Sequence, residues 1–417
     1  MGIGGSGASG VAKLAQKLGY EVDGCDLSGP STYNENVIKG HSPSHVQGVD
    51  LVVTVPAVFY QNKNHPELLR ARREGKLLTW QEFLGKHLHK GKSVICVAGT
   101  HGKSTTTAMA TKLLEDAGLD PMAVVGAKVP SWGGSARYGK GKYFITEADE
   151  FFNNYLNYSP EIIILNNIEF DHPDFFKNAS EVFKSFKEFI GKLKGKKLLI
   201  TNGDDRGVRR LLSTINTRNV KLIKYSAKAE GNLDLNLRVV GEHNKQNALG
   251  VVALGRFLGI ADSLIKKSLE SFVGIGRRLE LIFDREGVSV FDDYAHHPTA
   301  IEATLEALRQ KFPNRRIWAI VEPHGYKRTK ALLGKYKGIF KDASKVIIGP
   351  IFKARDRAIN QITPQLISKT AAHWDSLGVD SFDQIRRLVK KEIQKGDIFL
   401  VMGAGRSYLW SKNLLKI

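Results

Sequence analysis

The segment SVICVAGTHGKSTTTAMATKLLEDAG, starting at Ser93, carries the clearest chemistry in the chain. A β-branched run, Ser93 to Val97, leads into Gly99-Thr100-His101-Gly102-Lys103-Ser104-Thr105, and a helical pattern opens directly after it over 103–117. A glycine-rich turn between strand and helix exposes backbone N–H groups that can cradle phosphate. A lysine at its end reaches the β- and γ-oxygens, and the next hydroxyl, Ser104, can ligate Mg²⁺. Val97 stands where the usual pattern has its first glycine. The order of strand, glycines, lysine, hydroxyl and helix still predicts a phosphate loop.

Five further groups of residues could do chemistry. YFITEADEFF puts Glu147 at the end of a strand, followed by Asp149 and Glu150. IIILNNIEFDHPDFF puts Asn167, Asp171 and His172 after another strand. Carboxyl ends of parallel strands are where such sheets bind ligands, and carboxylate with imidazole beside a phosphate loop could hold Mg²⁺. Taken alone, an Asp-His pair reads as a turn with a capped helix. GEHNKQNALG offers His243, Asn244 and Asn247; a carboxamide donates and accepts, so it can read an adenine edge or simply cap the helix that follows. VFDDYAHHPTAIEATLEAL carries Asp293, Tyr294, His296 and His297 ahead of a helix over 298–311, and as free-standing groups the histidines read as caps. At the amino end, Gly2, Gly4 and Gly7 spell GxGxxG before a helical stretch, and Asp26 follows the strand-like YEVDGCD at the spacing of a ribose-binding acid. That motif belongs after a strand, and only Met1 precedes it; a tight structural turn is the competing reading.

These groups need a scaffold that presents strand ends. LVVTVPA, SVICVAG, IIILNN, KLLIT, RIWAIVE, KVIIGP and DIFLVMG are short apolar runs, separated by helical patterns such as 243–258 and 383–394. Such alternation predicts an α/β class with parallel sheets covered by helices. LELIFDREGVSVFDDY reads as a hairpin. The 417 residues suit more than one core, and boundaries are placed near 88 and 272. No apolar run is long enough for a bilayer, and the start has no signal-peptide pattern. Cys25 and Cys96 have no metal or redox spacing and read as buried reduced thiols of a cytoplasmic protein. Net charge is +20, from 62 basic and 42 acidic residues. The basic residues are scattered in short clusters, with no arm or aromatic-interleaved stripe, so anionic small substrates or a generally basic proteome are favoured over nucleic acid.

The GTHGKS loop resembles the Mur ligases and their relatives, the folylpolyglutamate synthases, which couple ATP hydrolysis to amide formation. The order GTHGKS, EADE, NNIEFDHPD, GEHNKQNA, DDYAHHPT and PHGYKRT extends the resemblance to Mur ligases from Gly2 to about Gly405. It implies three domains: a Rossmann-like N-terminal domain for the UDP substrate (1–88), a central P-loop ATPase-like domain (89–272), and a C-terminal Rossmann-like α/β domain (273–417) that closes over ATP. The resemblance implies that Ser104, Glu147 and His172 bind Mg²⁺. Asn244 and Asn247 would contact the nucleobase, Arg278 the nucleotide phosphates, and Asp293, Tyr294 and His296 the ribose and adenine. Gly4, Gly5, Ser6, Gly7 and Asp26 would hold the UDP substrate.

In the family's muramate–alanine branch, PHxYxRT lies by the amino acid. By resemblance His324, Tyr326 and Arg328 orient L-alanine, the guanidinium suiting a carboxylate through two parallel hydrogen bonds. IFKARD (351–356) is a second segment of that branch. The expected reaction joins L-alanine to the lactyl carboxylate of UDP-N-acetylmuramate through an acyl phosphate, with His324 a candidate for the amine proton. RRLELIFDREGV and DDYAHHPTAIEATLEALR lean instead to the wall-recycling branch, whose acceptor is the tripeptide L-Ala-γ-D-Glu-meso-diaminopimelate. Arg406 replaces an acid of the family's MGAGD. The expected molecule is a cytoplasmic monomer or homodimer without a membrane span.

Overall fold

The computed structural model describes residues 1–29, 37–56, 58, 62–354 and 356–416. The chain divides into two compact units. One holds Met1–Phe170, Asn178–Arg238 and Lys245–Val273; the other holds Asp171–Lys177, Val239–Asn244 and Gly274–Ile417.

The first unit starts with two small parallel pairs, β1 (Cys25–Asp26) with β2 (Ile38–Lys39), and β3 (Val52–Thr54) with β4 (Leu77–Thr79). The strand expected over YEVDGCD is confined to its last two residues. Only Cys25 and Asp26 have a paired neighbour to hydrogen-bond in register. Met1 to Ile3 bridges the two pairs: the Gly2 N–H donates to Cys25 O at 2.8 Å, and the Val55 N–H to Met1 O at 3.3 Å. The short lead into GxGxxG thus occupies the place of the strand the motif requires. Met1, Cys25, Val58 and Leu68 pack as a small core there.

The main sheet of this unit has seven strands in the order β11-β10-β9-β5-β8-β6-β7. Its members are β5 (Ser93–Ala98), β6 (Met122–Val129), β7 (Gly134–Arg137), β8 (Tyr143–Ala148), β9 (Ile162–Leu165), β10 (Leu198–Asn202) and β11 (Lys221–Tyr225). Only the β6–β7 pair is antiparallel. The apolar runs of β5, β9 and β10 are buried almost throughout, as strands covered on both faces should be. The phosphate-loop strand β5 is central, between β8 and β9. Three neighbouring carboxyl ends therefore deliver Gly99, Glu147 and Asn166 to one edge of the sheet.

The second unit is built on the order β12-β13-β17-β14-β15-β16. These are β12 (Glu280–Arg285), β13 (Val288–Asp293), β14 (Ile317–Val321), β15 (Lys345–Ile348), β16 (Ser376–Gly378) and β17 (Ile398–Met402). β12 and β13 form the expected hairpin, and every other pairing is parallel. Apolar clusters cover both faces: Leu305, Phe340 and Leu400 belong to one, Trp318, Ile385 and Phe399 to the other. The helices Lys103–Asp116, Glu242–Phe257, Pro298–Lys311 and Phe382–Glu392 lie within a residue or two of their sequence-derived spans.

Candidate active site

The loop after β5 is held by side chains from the end of β9. The Asn167 carboxamide clamps His101 on both sides: its Oδ1 accepts from the His101 N–H at 2.7 Å, and its Nδ2 donates to His101 O at 3.1 Å. Asn166 Nδ2 donates to Thr106 Oγ1 at 3.0 Å and reaches Asn247 Oδ1 at 3.4 Å. Thr100 Oγ1 exchanges hydrogen bonds with the backbone of Glu169. His101 Nε2 lies 3.2 Å from the Glu169 carboxylate. Gly102 has φ +82°, and a Cβ there would run into Asn247 Oδ1, so the turn into the helix admits only glycine. Ser104 and Thr105 are buried in the first turn of the Lys103–Asp116 helix.

Lys103 is the electrostatic centre. Its Nζ donates to Gly99 O at 2.7 Å and pairs with Glu150 Oε2 at 2.9 Å. Burial acts to lower its pKa, but Glu150, Asp149 and Glu147 outweigh burial and hold the ammonium above its usual range. Glu147 accepts from the Gly126 N–H, which fixes its carboxylate at the end of β8. Ser104 and Glu147 are oxygen donors of the hard type that Mg²⁺ takes. His172, the third expected ligand, belongs to the second unit, at φ +54°, with its N–H bonded to Asp171 Oδ1 at 2.6 Å.

At the amino end, the Gly4 N–H donates to Asp26 Oδ2 at 3.1 Å, and a Cβ on Gly4 would press on that carboxylate at 3.0 Å. Gly5 is the N-cap of the Ser6–Lys17 helix. Ser6 Oγ donates to Gly126 O at 2.9 Å, and Gly7 lies against the Trp80 ring. The glycines and Asp26 are thus brought together as the sequence predicts.

The second unit gathers its own set at the carboxyl ends of β13, β14 and β17. Asp293 is buried, accepting from the Leu279 and Ala295 N–H groups at 2.8 and 2.7 Å, and burial raises its pKa. Tyr294 is exposed, and the Arg278 guanidinium lies 5.0 Å from its ring centroid. The neighbouring Arg277 is structural instead. It binds Asp292 at 2.9 Å, Gly403 O at 2.6 Å and Ser407 Oγ at 2.9 Å. This leaves Arg278 as the arginine of the pair available to a ligand.

His296 packs its ring 5.3 Å from that of His324, which stacks on Phe352. Burial, with Arg328 and His324 nearby, holds His296 well below the ordinary imidazole range. Arg328 is buried at 8% exposure and donates to Asp171 Oδ2. Its Nε has no hydrogen-bond partner among the described residues. Burial would raise the Asp171 pKa, but His172, Arg328, His297 and His296 together hold it well below the usual carboxylate range. Tyr326 starts the helix Tyr326–Leu332 and is half-buried. Asn244 Nδ2 donates to Val240 O at 2.8 Å, so its carboxamide does local work at the start of its helix. Arg355 of IFKARD lies outside the described residues.

Two residues escaped the sequence reading. Asn166, beside Asn167, ties the loop to the 103–116 and 242–257 helices. Glu322, at the end of β14, accepts from the N–H groups of Gly405, Arg406 and Ser407 at 3.0, 3.0 and 3.1 Å. Its only sequence signal was an acid at a strand end. Arg406, where the family pattern has an acid, contributes its backbone N–H to that turn.

Three family models match in succession: "Mur ligase family, catalytic domain" over 1–91, "Mur ligase middle domain" over 97–234, and "Mur ligase, glutamate ligase domain" over 277–405. A UDP-N-acetylmuramate–L-alanine ligase of Alkaliphilus metalliredigens is 34% identical, covering 100% of this chain and 96% of the relative. The solved UDP-N-acetylmuramate-alanine ligase of Thermotoga maritima superposes with a TM-score of 0.80 at 25% identity, covering 100% of this chain and 97% of the other. A murein peptide ligase of Psychrobacter arcticus shares the fold, with a TM-score of 0.71 at 24% identity, over 100% of this chain and 98% of that one. Full-length identity and three consecutive domain matches place this chain in the Mur ligase family.

Proposed function

We propose that the protein is an ATP-dependent ligase that joins L-alanine to the lactyl carboxylate of UDP-N-acetylmuramate. The observation that carries the amino-acid part is Arg328: a buried guanidinium within PHGYKRT, neutralised on one side by Asp171 and with its Nε unpartnered. A buried N–H donor without an acceptor is costly, and a small carboxylate is the group that satisfies it. Full-length identity to relatives named for the alanine reaction supports the same branch.

The carboxylate of the muramate attacks the γ-phosphorus of ATP, the bond to the ADP oxygen breaks, and an acyl phosphate forms. The amine of L-alanine then attacks the acyl carbon and loses a proton, and this reading assigns His324 as the group that takes it. Collapse of the tetrahedral intermediate expels phosphate and leaves the amide. Lys103 exchanges Gly99 O and Glu150 for the phosphate oxygens and offsets their charge. Asn166 and Asn167 hold the loop in its binding shape beforehand. Ser104, Glu147 and His172 would hold Mg²⁺, which when bound supplies charge neutralisation at the β- and γ-oxygens. Asn244, Asn247, Arg278, Asp293, Tyr294 and His296 serve the nucleotide. Gly4 to Gly7 and Asp26 serve the UDP moiety, the Asp26 carboxylate facing the Gly4 N–H where a diphosphate and ribose would lie. Domain boundaries near 88 and 272 go with this reading, as does a cytoplasmic location. No described helix is long and apolar enough to cross a membrane.

The deciding experiment is phosphate release from ATP and UDP-N-acetylmuramate, with L-alanine or L-Ala-γ-D-Glu-meso-diaminopimelate as acceptor. Turnover with L-alanine supports the proposal. Turnover with the tripeptide alone assigns the chain to wall recycling and removes the role given to Arg328.

A further inference from the structure

The small N-terminal sheets hold a polar cluster that the ligase reaction does not use. Cys25 lies on β1, His41 just after β2, and Glu67 in the first turn of the helix Pro66–Arg73. All three side chains are buried: Cys25 and Glu67 are 4% and 2% exposed, and the His41 side chain is 4% exposed. Cys25 Sγ lies 3.2 Å from His41 Nδ1 and 3.5 Å from Glu67 Oε1, and His41 Nδ1 lies 3.9 Å from Glu67 Oε2. Metal–ligand bonds of about 2.0–2.3 Å at tetrahedral angles put donor atoms roughly 3.4–3.6 Å apart. With Glu67 offering Oε2, the three donors lie 3.2, 3.9 and 3.9 Å apart, so a contraction of a few tenths of an ångström on the Glu67 side brings them to one face of a zinc tetrahedron.

We infer that Cys25, His41 and Glu67 form a binding site for a divalent cation of the zinc class. Thiolate, imidazole and carboxylate together suit zinc rather than magnesium. The Ser42 N–H donates to Glu67 Oε2 at 2.9 Å and fixes the carboxylate, as outer partners of metal ligands do. A fourth position falls to water or to His45, whose Nδ1 is 3.5 Å from Glu67 Oε2 and has no hydrogen-bond partner among the described residues.

Binding would release the thiol proton to solvent and place two anionic ligands on one dication. The site would staple β1, the turn after β2 and the Pro66–Arg73 helix, three pieces of a region whose strands are only two or three residues long. It is separate from Ser104, Glu147 and His172.

Full-length protein stripped with a chelator and titrated with Co²⁺ tests this. The expected result is one equivalent bound with a sulfur-to-cobalt charge-transfer band in the near ultraviolet. That band should be lost in Cys25→Ser and kept in Cys96→Ser. Zn²⁺ should displace the cobalt and raise the melting temperature of the wild type, and Glu67→Gln should weaken binding by about 10-fold or more. If Cys25→Ser does not fold, the Glu67→Gln titration decides. Absence of the band in the wild type, its survival in Cys25→Ser, or unchanged affinity in Glu67→Gln overturns the site and leaves a hydrogen-bonded Cys-His-Glu triad.

Discussion

Lys103 and Arg328 make opposite uses of burial. Lys103 is provided with carboxylates that keep it charged, and its contacts with Gly99 O and Glu150 are ones a phosphate can replace. Lys103→Ala should therefore lower kcat by about 10²–10³-fold, as loss of a preorganised charge in a closed site does. Its thermal midpoint should fall, because removing the ammonium leaves the buried Glu150 carboxylate without that cation. Single-turnover phosphate release alongside a melting curve separates the two effects; a variant with full activity would remove Lys103 from the chemistry. Arg328 is instead left short of acceptors. Arg328→Lys keeps the charge but loses the planar fork. The KM for L-alanine should rise by about 10–100-fold while the KM for ATP stays within about 2-fold. Equal rises in both would mean that Arg328 serves the fold of its helix rather than the amino acid.

Elements decide which residues could be foreseen. The phosphate loop was legible because strand, glycines, lysine and helix are contiguous, so local sequence carries the whole geometry. The Asn166 and Glu322 contacts were not, because each joins segments 60 residues or more apart, and periodicity says nothing about which strand ends become neighbours. The short β1 shows the same limit: the strand-like residues 20–24 need a paired neighbour to become a strand, and none is provided among the described residues. His89 is a further case, beside the domain boundary placed near 88. It is buried against the Phe144 and Tyr158 rings at 4.6 and 5.1 Å, and neither ring nitrogen has a hydrogen-bond partner among the described residues. Burial pushes its pKa down to about 3. The unfolded chain takes up a proton near pH 6.5 and the folded chain does not, so stability is full above about 6.5 and falls as pH drops toward 3. This one group should cost about 2 kcal/mol between pH 7 and pH 5. Urea melts at the two pH values should show His89→Phe losing less stability on acidification than the wild type by about that amount. Parallel losses in both proteins would mean that His89 is already protonated or hydrated in the fold.

At the scale of the whole molecule, the net charge of +20 asks for a role. The proposed ligands divide cleanly by charge: ATP and UDP-N-acetylmuramate are polyanions, while L-alanine is a zwitterion. A diffuse positive field raises the encounter rate and local concentration of anions, and salt shortens its reach to about 10 Å at 0.1 M. Raising KCl from about 50 to about 250 mM should therefore raise the KM of both anionic substrates several-fold, and most for the more highly charged. The KM of L-alanine and the kcat should stay within about 2-fold, because Arg328 is buried and screening by bulk ions is weak there. Non-specific binding to DNA, which the same charge permits at low salt, should fade near 0.15 M as counterion release loses its advantage. Initial rates over a salt series with each substrate varied in turn provide the measurement. A salt-driven rise for L-alanine equal to that for ATP would place the effect in the protein's conformation instead of its field. A DNA complex that persists at 0.15 M would give the charge a second use.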